Sequence, residues 1–247
     1  MRDFRLLSVI ISVYNEESTI AEIIKRVAAV EFPFPKEIIV VDDGSDDRTN
    51  EILKISQSNI ARLYQTPVNI GKGAAVRIGL TLAQGDIILL QDADLELDPN
   101  EYRQLLQPIL DGKTEVVYGS RFLRKNRQIY LIRRLANFGL TSLTNLLYGS
   151  RLTDMETAYK VFTADVSRNL RLRANRFEIE SEITARICQN NFKIVEVPIS
   201  YRPRTKSEGK KINWRDGIKA VWMLVRCRFD GLEKSDKPLL LNSEINK

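Results

Sequence analysis

Histidine does not occur anywhere in the 247 residues. Its absence excludes Ser-His-Asp and Cys-His nucleophilic schemes and every metal site built on imidazole. Cysteine is nearly as scarce. Cys188 and Cys227 are the two present, too few for a disulfide framework or a structural zinc site, and they predict a reducing cytoplasmic compartment. No run of about 18 uncharged apolar residues exists to span a bilayer. The start, Met1 to Arg5, is charged and leads straight into an apolar segment, so no secretory leader is expected there. Internal repeats and low-complexity stretches are missing too. What remains is a globular composition, 43% hydrophobic and 28% charged, with 38 basic against 32 acidic residues and a net charge of +6. A basic balance suits nucleic acid, anionic lipid surfaces or phosphate-bearing small molecules, and equally plain solubility. Lys and Arg are interleaved with acids and no nucleic-acid reader motif occurs, so nucleic acid is not the expected partner.

Apolar runs and helical stripes alternate through the first half. Residues 6–14 are β-branched and apolar and predict a buried strand. Thr19 opens a helix, with Glu22 three residues on as a capping box, and Ile20, Ile23, Ile24 and Val27 follow the helical spacing. Further strands are expected at 37–41, 60–64, 87–90 and 115–118. Helices are expected at 48–56, around Ala75, Ile78 and Leu82, and after Asp98-Pro99-Glu101, which supplies a cap, a first-turn proline and an N3 acid. This alternation predicts an α/β fold with a mostly parallel sheet flanked by helices. The second half reads differently: helices at 129–148, 177–189 and 214–229, a strand at 192–201, a basic loop at 202–211 and a polar tail from 230.

Polar residues gather where strands end. Directly after the run Ile87-Ile88-Leu89-Leu90 come Asp92 and Asp94. Residues i and i+2 of a strand point to one side, so both carboxylates reach one site at the carboxyl end of the sheet, where open α/β sheets bind ligands. Two acids that close repel unless a cation lies between them, and hard divalent ions take carboxylate and phosphate oxygens together. Alone, the triplet is also an ordinary polar turn. Gly71-Lys72-Gly73 resembles a phosphate loop, and a helix N-terminus carrying Lys72 attracts an anion. However, the dinucleotide pattern needs glycine where Val76 stands, and the long P-loop spacing is absent. The glycines also fit a tight turn. Asp42 and Asp43, ending the second strand, can accept hydrogen bonds from a base or ribose, or cap the next helix.

The motifs Val13-Tyr14-Asn15-Glu16, Val40-Val41-Asp42-Asp43-Gly44-Ser45, Asn69-Ile70-Gly71-Lys72-Gly73 and Asp92-Ala93-Asp94 occur in that order. With Gly119-Ser120-Arg121, Thr153-Asp154-Met155-Glu156-Thr157 and the basic loop, they resemble a family 2 glycosyltransferase of GT-A fold. The likeness extends to about residue 229 and is nearest the polyprenyl-phosphate branch typified by dolichyl-phosphate mannose synthase. It implies one domain over 1–229, with a nucleotide-sugar half at 1–122 and a largely helical acceptor half at 123–229.

The resemblance also implies roles. Tyr14, Glu16 and Asp43 hold the nucleoside of a UDP- or GDP-sugar, and Lys72 with Asp92-Ala93-Asp94 lies along the donor. Asp92 and Asp94 bind Mg²⁺ or Mn²⁺, with Glu96 as a third ligand. Arg121, Arg202, Arg204 and Lys210 grip donor or acceptor phosphates. The family often has proline where Ser12 stands and glutamine where Glu96 stands; the second departure adds negative charge beside the metal. The implied reaction is an inverting transfer to a polyprenyl phosphate. A lipid phosphate is already ionised near neutral pH, whereas a hydroxyl acceptor of a cell-surface glycan requires Asp154 or Glu156 to take its proton. A non-catalytic nucleotide-binding module is the alternative outside enzymes, and a broken Asp-x-Asp would mark it. A sugar-nucleotide pyrophosphorylase would want a glycine- and basic-rich loop at 14–17, which is absent. Trp214, Ile218, Val221, Trp222 and Val225, with Arg215, Lys219, Arg226 and Arg228 nearby, suit a helix lying in a lipid interface. Covering the sheet or forming a homodimer contact are the other uses of that stripe.

Overall fold

The computed structural model describes residues 4–124, 129, 131–204 and 214–230. Strands β1 (Leu7–Val13), β2 (Lys36–Asp42), β3 (Arg62–Gln65) and β4 (Ile87–Asp92) alternate with helices α1 (Ile20–Ala29), α2 (Thr49–Ile55) and α3 (Lys72–Leu82). Helix α4 (Tyr102–Leu110) and strand β5 (Val116–Ser120) follow, then α5 (Leu131–Tyr148), β6 (Lys160–Thr163), α6 (Ala164–Asn169), α7 (Ile179–Gln189), β7 (Ile194–Pro198) and α8 (Trp214–Phe229). The strands form one seven-stranded sheet in the order β3-β2-β1-β4-β6-β5-β7. Neighbouring pairs are parallel except those of β6, which runs antiparallel to both β4 and β5.

Strand alternation divides the core between the two faces. Val9 and Ile11 of β1, Ile38 and Val40 of β2, and Ile87 and Leu89 of β4 pack with α1 and α4. Ile10, Ile39, Val41, Ile88 and Leu90 point the other way, onto α3, α7 and α8. Each strand is therefore apolar on both faces, which is why these runs read as continuous rather than alternating. Gly79 brings α3 down onto β1, since a Cβ there would overlap Ile10 Cγ2.

Two details differ from the sequence reading. Thr19 occupies the N-cap of α1 but makes no capping hydrogen bond; its hydroxyl donates to Glu16 Oε2 at 2.9 Å, while Glu22 pairs with Arg26. The acid upstream is the better acceptor, so no capping box forms. The short strand β6 and helix α6 carried no readable period, four and six residues being too few to display one. Asp98, by contrast, caps its turn as expected, accepting from Asn100 N at 3.0 Å.

Register fixes where the polar strand ends meet. Val13 pairs with Asp42, and Ser12 lies between Val41 and Asp92. The continuations of β1, β2 and β4 thus emerge side by side at one edge of the sheet.

Candidate active site

A cavity of about 590 Å³ opens at that edge. Tyr14, Glu16, Asp43, Lys72, Asp92, Ala93, Asp94, Glu96, Arg121 and Glu156 all line it. Asp154 and Arg202 do not line it, and Lys210 lies outside the described residues.

The turn before α3 is built by Asp43. Its carboxylate accepts from Ile70 N at 2.8 Å and Gly71 N at 2.7 Å. Burial raises its pKa, and those backbone donors oppose the rise. Gly71 follows at φ +121°, a conformation side chains rarely adopt, and a Cβ there would overlap the Asn175 carbonyl oxygen. The turn delivers Lys72 to the cavity, its Nζ 2.7 Å from Asp92 Oδ1 and 2.9 Å from Glu180 Oε1.

Behind Lys72 sits a chain of buried charge. Glu180, in the first turn of α7, also accepts from the fully buried Lys160 on β6. Lys160 further donates to the carbonyls of Met155 and Thr157 and stands 4.9 Å over the Tyr118 ring. Burial alone would raise the Glu180 carboxyl, yet Lys160 and Lys72 together hold it at about 2. Burial likewise pulls down on Lys72, and its two carboxylate partners lift it well above an ordinary lysine. Lys72 is therefore a fixed positive charge at Asp92.

The second acid of the pair faces a different cation. Asp94 Oδ2 receives Arg204 Nη2 at 2.8 Å, and Arg204 Nη1 reaches both oxygens of Glu16 at 3.0 and 2.8 Å. Burial, reinforced by Asp92 and opposed by Arg204, pushes the Asp94 carboxyl up to about 7. Glu96 accepts from Tyr201 OH at 2.9 Å and Arg204 N at 2.7 Å. These contacts hold Tyr201, Pro203 and Arg204 against the cavity, which all three line.

Arg121 is locked from below. Its Nε and Nη2 each lie 2.7 Å from Asp154, whose side chain is fully buried. Its Cζ sits 5.1 Å from the Tyr201 ring centre. Asp154 is thus a support for Arg121. Glu156 faces the cavity, and burial, opposed by Lys160 and aided by Glu180, pushes its carboxyl up to about 7.

The remaining wall is mixed. Ile129, with Ile132, Ala136 and Leu140 of α5 and Ala220 of α8, gives it an apolar surface, and Arg133, Asn137 and Asp216 of the same helices also face the cavity. Sequence reasoning missed this wall, together with Glu180, Lys160 and Tyr201. A lysine heading the short Lys160–Thr163 strand was the available signal, since a buried lysine requires an acid nearby.

Among the described residues no group of three acidic or cysteine side chains converges into a complete cation cage. Asp92 and Asp94 offer carboxylate oxygens alone, a donor set suited to a hard ion that completes its shell with water and phosphate.

The sheet, its single reversed strand and the acid pair at its carboxyl edge define a GT-A glycosyltransferase. A model of glycosyl transferase family 2 matches residues 8–171, and the chain belongs to that family. An uncharacterized protein of Methanocaldococcus jannaschii is 30% identical over 88% of this chain and 90% of its own length. The UDP-N-acetylglucosamine–dolichyl-phosphate N-acetylglucosaminyltransferase of Methanococcus voltae is 29% identical over 91% of this chain and 97% of its own. In fold, the chain is similar to glucosyl-3-phosphoglycerate synthase of Mycobacterium tuberculosis crystallised with Mn²⁺, UDP and phosphoglyceric acid. That structure has a TM-score of 0.70 and 22% identity, over 91% of this chain and 79% of that one.

Proposed function

We propose that this glycosyltransferase moves a sugar, with inversion, from a UDP- or GDP-sugar to a polyprenyl phosphate. The carrying observation is the two-sided cavity: charged residues from α3, the end of β4 and the turns after β1 and β4 form one wall, and α5 with α8 forms another in which Ile132, Ala136, Leu140 and Ala220 lie beside Arg133, Asn137 and Asp216. A diphosphate and an isoprenoid phosphate need such unlike surroundings within one space. The Methanococcus voltae relative, named for a dolichyl-phosphate acceptor, supports the same class. The donor half then comprises residues 1–122 and the acceptor half 123–229.

Asp92 and Asp94 would hold Mg²⁺ or Mn²⁺, with Glu96 adjoining. Such an ion supplies Lewis-acid charge to the leaving nucleoside diphosphate. The rest is the work of side chains. Lys72 and Arg121 place fixed positive charge where the departing diphosphate gathers negative charge, without reorganising at the moment of reaction, and Arg204 adds a third cation to the same cavity. Arg121 is held by Asp154 in the forked geometry that suits a phosphate. The acceptor phosphate oxygen attacks already ionised, so no base has to take its proton.

Among the described residues no helix is long and apolar enough to cross a membrane. On α5, Leu131, Ile132, Leu135 and Phe138 are exposed, and on α8, Ile218, Trp222 and Phe229. Arg134, Arg215, Lys219 and Arg228 are exposed beside them. This combination supports peripheral attachment to an anionic membrane face.

One observation favours a hydroxyl acceptor instead: Glu156 faces the cavity with a carboxyl near 7, in the range of a general base. A donor panel separates the readings. Incubation with UDP- and GDP-sugars, Mn²⁺ and polyprenyl phosphate should release nucleoside diphosphate and yield a glycolipid. Release that requires a hydroxyl acceptor, with polyprenyl phosphate inert, would transfer the assignment to the second reading.

A further inference from the structure

The acids meant for the cation already have partners inside the protein, and the two partners are not equivalent. Lys72 is held at Asp92 from two sides, because Glu180 lies 2.9 Å from the same ammonium and is itself anchored by Lys160. Arg204 comes from the opposite end of the chain, 110 residues beyond Asp94 and 188 beyond Glu16, and reaches both through one guanidinium. Its Nε is buried and has no hydrogen-bond partner among the described residues. A buried donor left open in this way is costly, and any nearby acceptor oxygen would relieve it.

We infer that Arg204 is an internal competitor of the divalent cation, released from Asp94 only when a nucleoside diphosphate arrives to receive it. The inference rests on the metal-dependent reading above. A bare cation entering at Asp94 must displace a forked guanidinium and leave that charge buried with Glu16 as its remaining partner. A cation accompanied by diphosphate gives the guanidinium phosphate oxygens to turn onto, Nε included. Cation and nucleotide therefore assist one another, and by linkage the assistance is mutual. The arrangement selects the nucleotide-borne ion over the free one and keeps the acid pair neutralised between turnovers. Lys72 remains in place throughout.

The test is Mn²⁺ binding to the whole protein, read from the free-ion signal in electron paramagnetic resonance, with and without UDP or GDP. Wild type should bind Mn²⁺ about tenfold more tightly with nucleotide, the scale of one charge-assisted contact. Arg204→Gln should bind Mn²⁺ alone about tenfold better than wild type and lose most of the nucleotide advantage. Arg204→Lys keeps the charge without the fork, avoids leaving two acids unpaired, and should fall between. Melting curves establish that both variants are folded. If wild type takes up Mn²⁺ with nucleotide and neither variant binds the bare ion more tightly, the competition does not exist. If wild type takes up no Mn²⁺ with either nucleotide, the metal-dependent reading itself fails and carries this inference down with it.

Discussion

Asp94 is pulled toward neutrality by burial and Asp92 and toward ionisation by Arg204. Replacing it with alanine removes half of the proposed cation grip. Asp94→Ala should lower nucleoside diphosphate release roughly a thousandfold, as loss of a transition-state charge partner does, with the circular dichroism spectrum unchanged. Turnover persisting in that variant would reject the metal assignment. Glu156 answers to pH. Its folded value near 7 lies above the ordinary 4.5, so the native state favours its protonated form. The stability it contributes is full below about 4.5 and is lost as pH rises through about 7, a swing on the order of 3 kcal/mol. Urea unfolding of Glu156→Gln should show a flatter stability profile across that window than wild type; identical slopes would exclude the effect. The motif residues at this scale were legible because short strands deliver Glu16, Asp92 and Asp94 to one edge by local geometry. Lys160 and Glu180 were not, because their pairing exists only once β6 and α7 have come together.

Elements explain what the motifs could not. The first parallel strands announced themselves through long β-branched runs, and α1 through its stripe of isoleucines. The capping box was a correct spacing with the wrong partner, since Glu16 competes for the Thr19 hydroxyl. Strand β6 stayed hidden because four residues show no period and nothing local fixes its direction. The turn into α3 is where backbone conformation reaches chemistry most directly. Gly71→Ala must adopt φ +121° with a side chain while displacing Asn175 backbone. It should cost about 1–3 kcal/mol, and it should raise the donor KM by shifting Lys72, as denaturant titration and steady-state kinetics would reveal. An unchanged KM in a destabilised variant would confine the glycine to a structural role.

For the molecule as a whole, α5 and α8 carry exposed apolar residues on the same helices that supply Ile132, Leu140 and Ala220 to the cavity holding the acid pair. Phe138→Ser combined with Trp222→Ser should weaken binding to anionic liposomes, read by flotation, by at least about a hundredfold, about 1.5–3 kcal/mol being the worth of each buried large side chain. Equal flotation of variant and wild type would remove the membrane face. The alternation of strands and helices was enough to read the α/β class. The strand order was not legible, because β6 inserts between β4 and β5 from about seventy residues downstream of β4. That insertion bears on how the protein comes into being. By Asp92 the nascent chain holds β1 to β4, already an unbroken parallel block, whereas β5 has no neighbour until residues 160–163 leave the ribosome. Assembly should accordingly proceed in two stages, with pulse-labelled amides of β1 and β2 protected ahead of those of β5 and β7. The strands from β5 onward would then be laid onto a finished β1–β4 block.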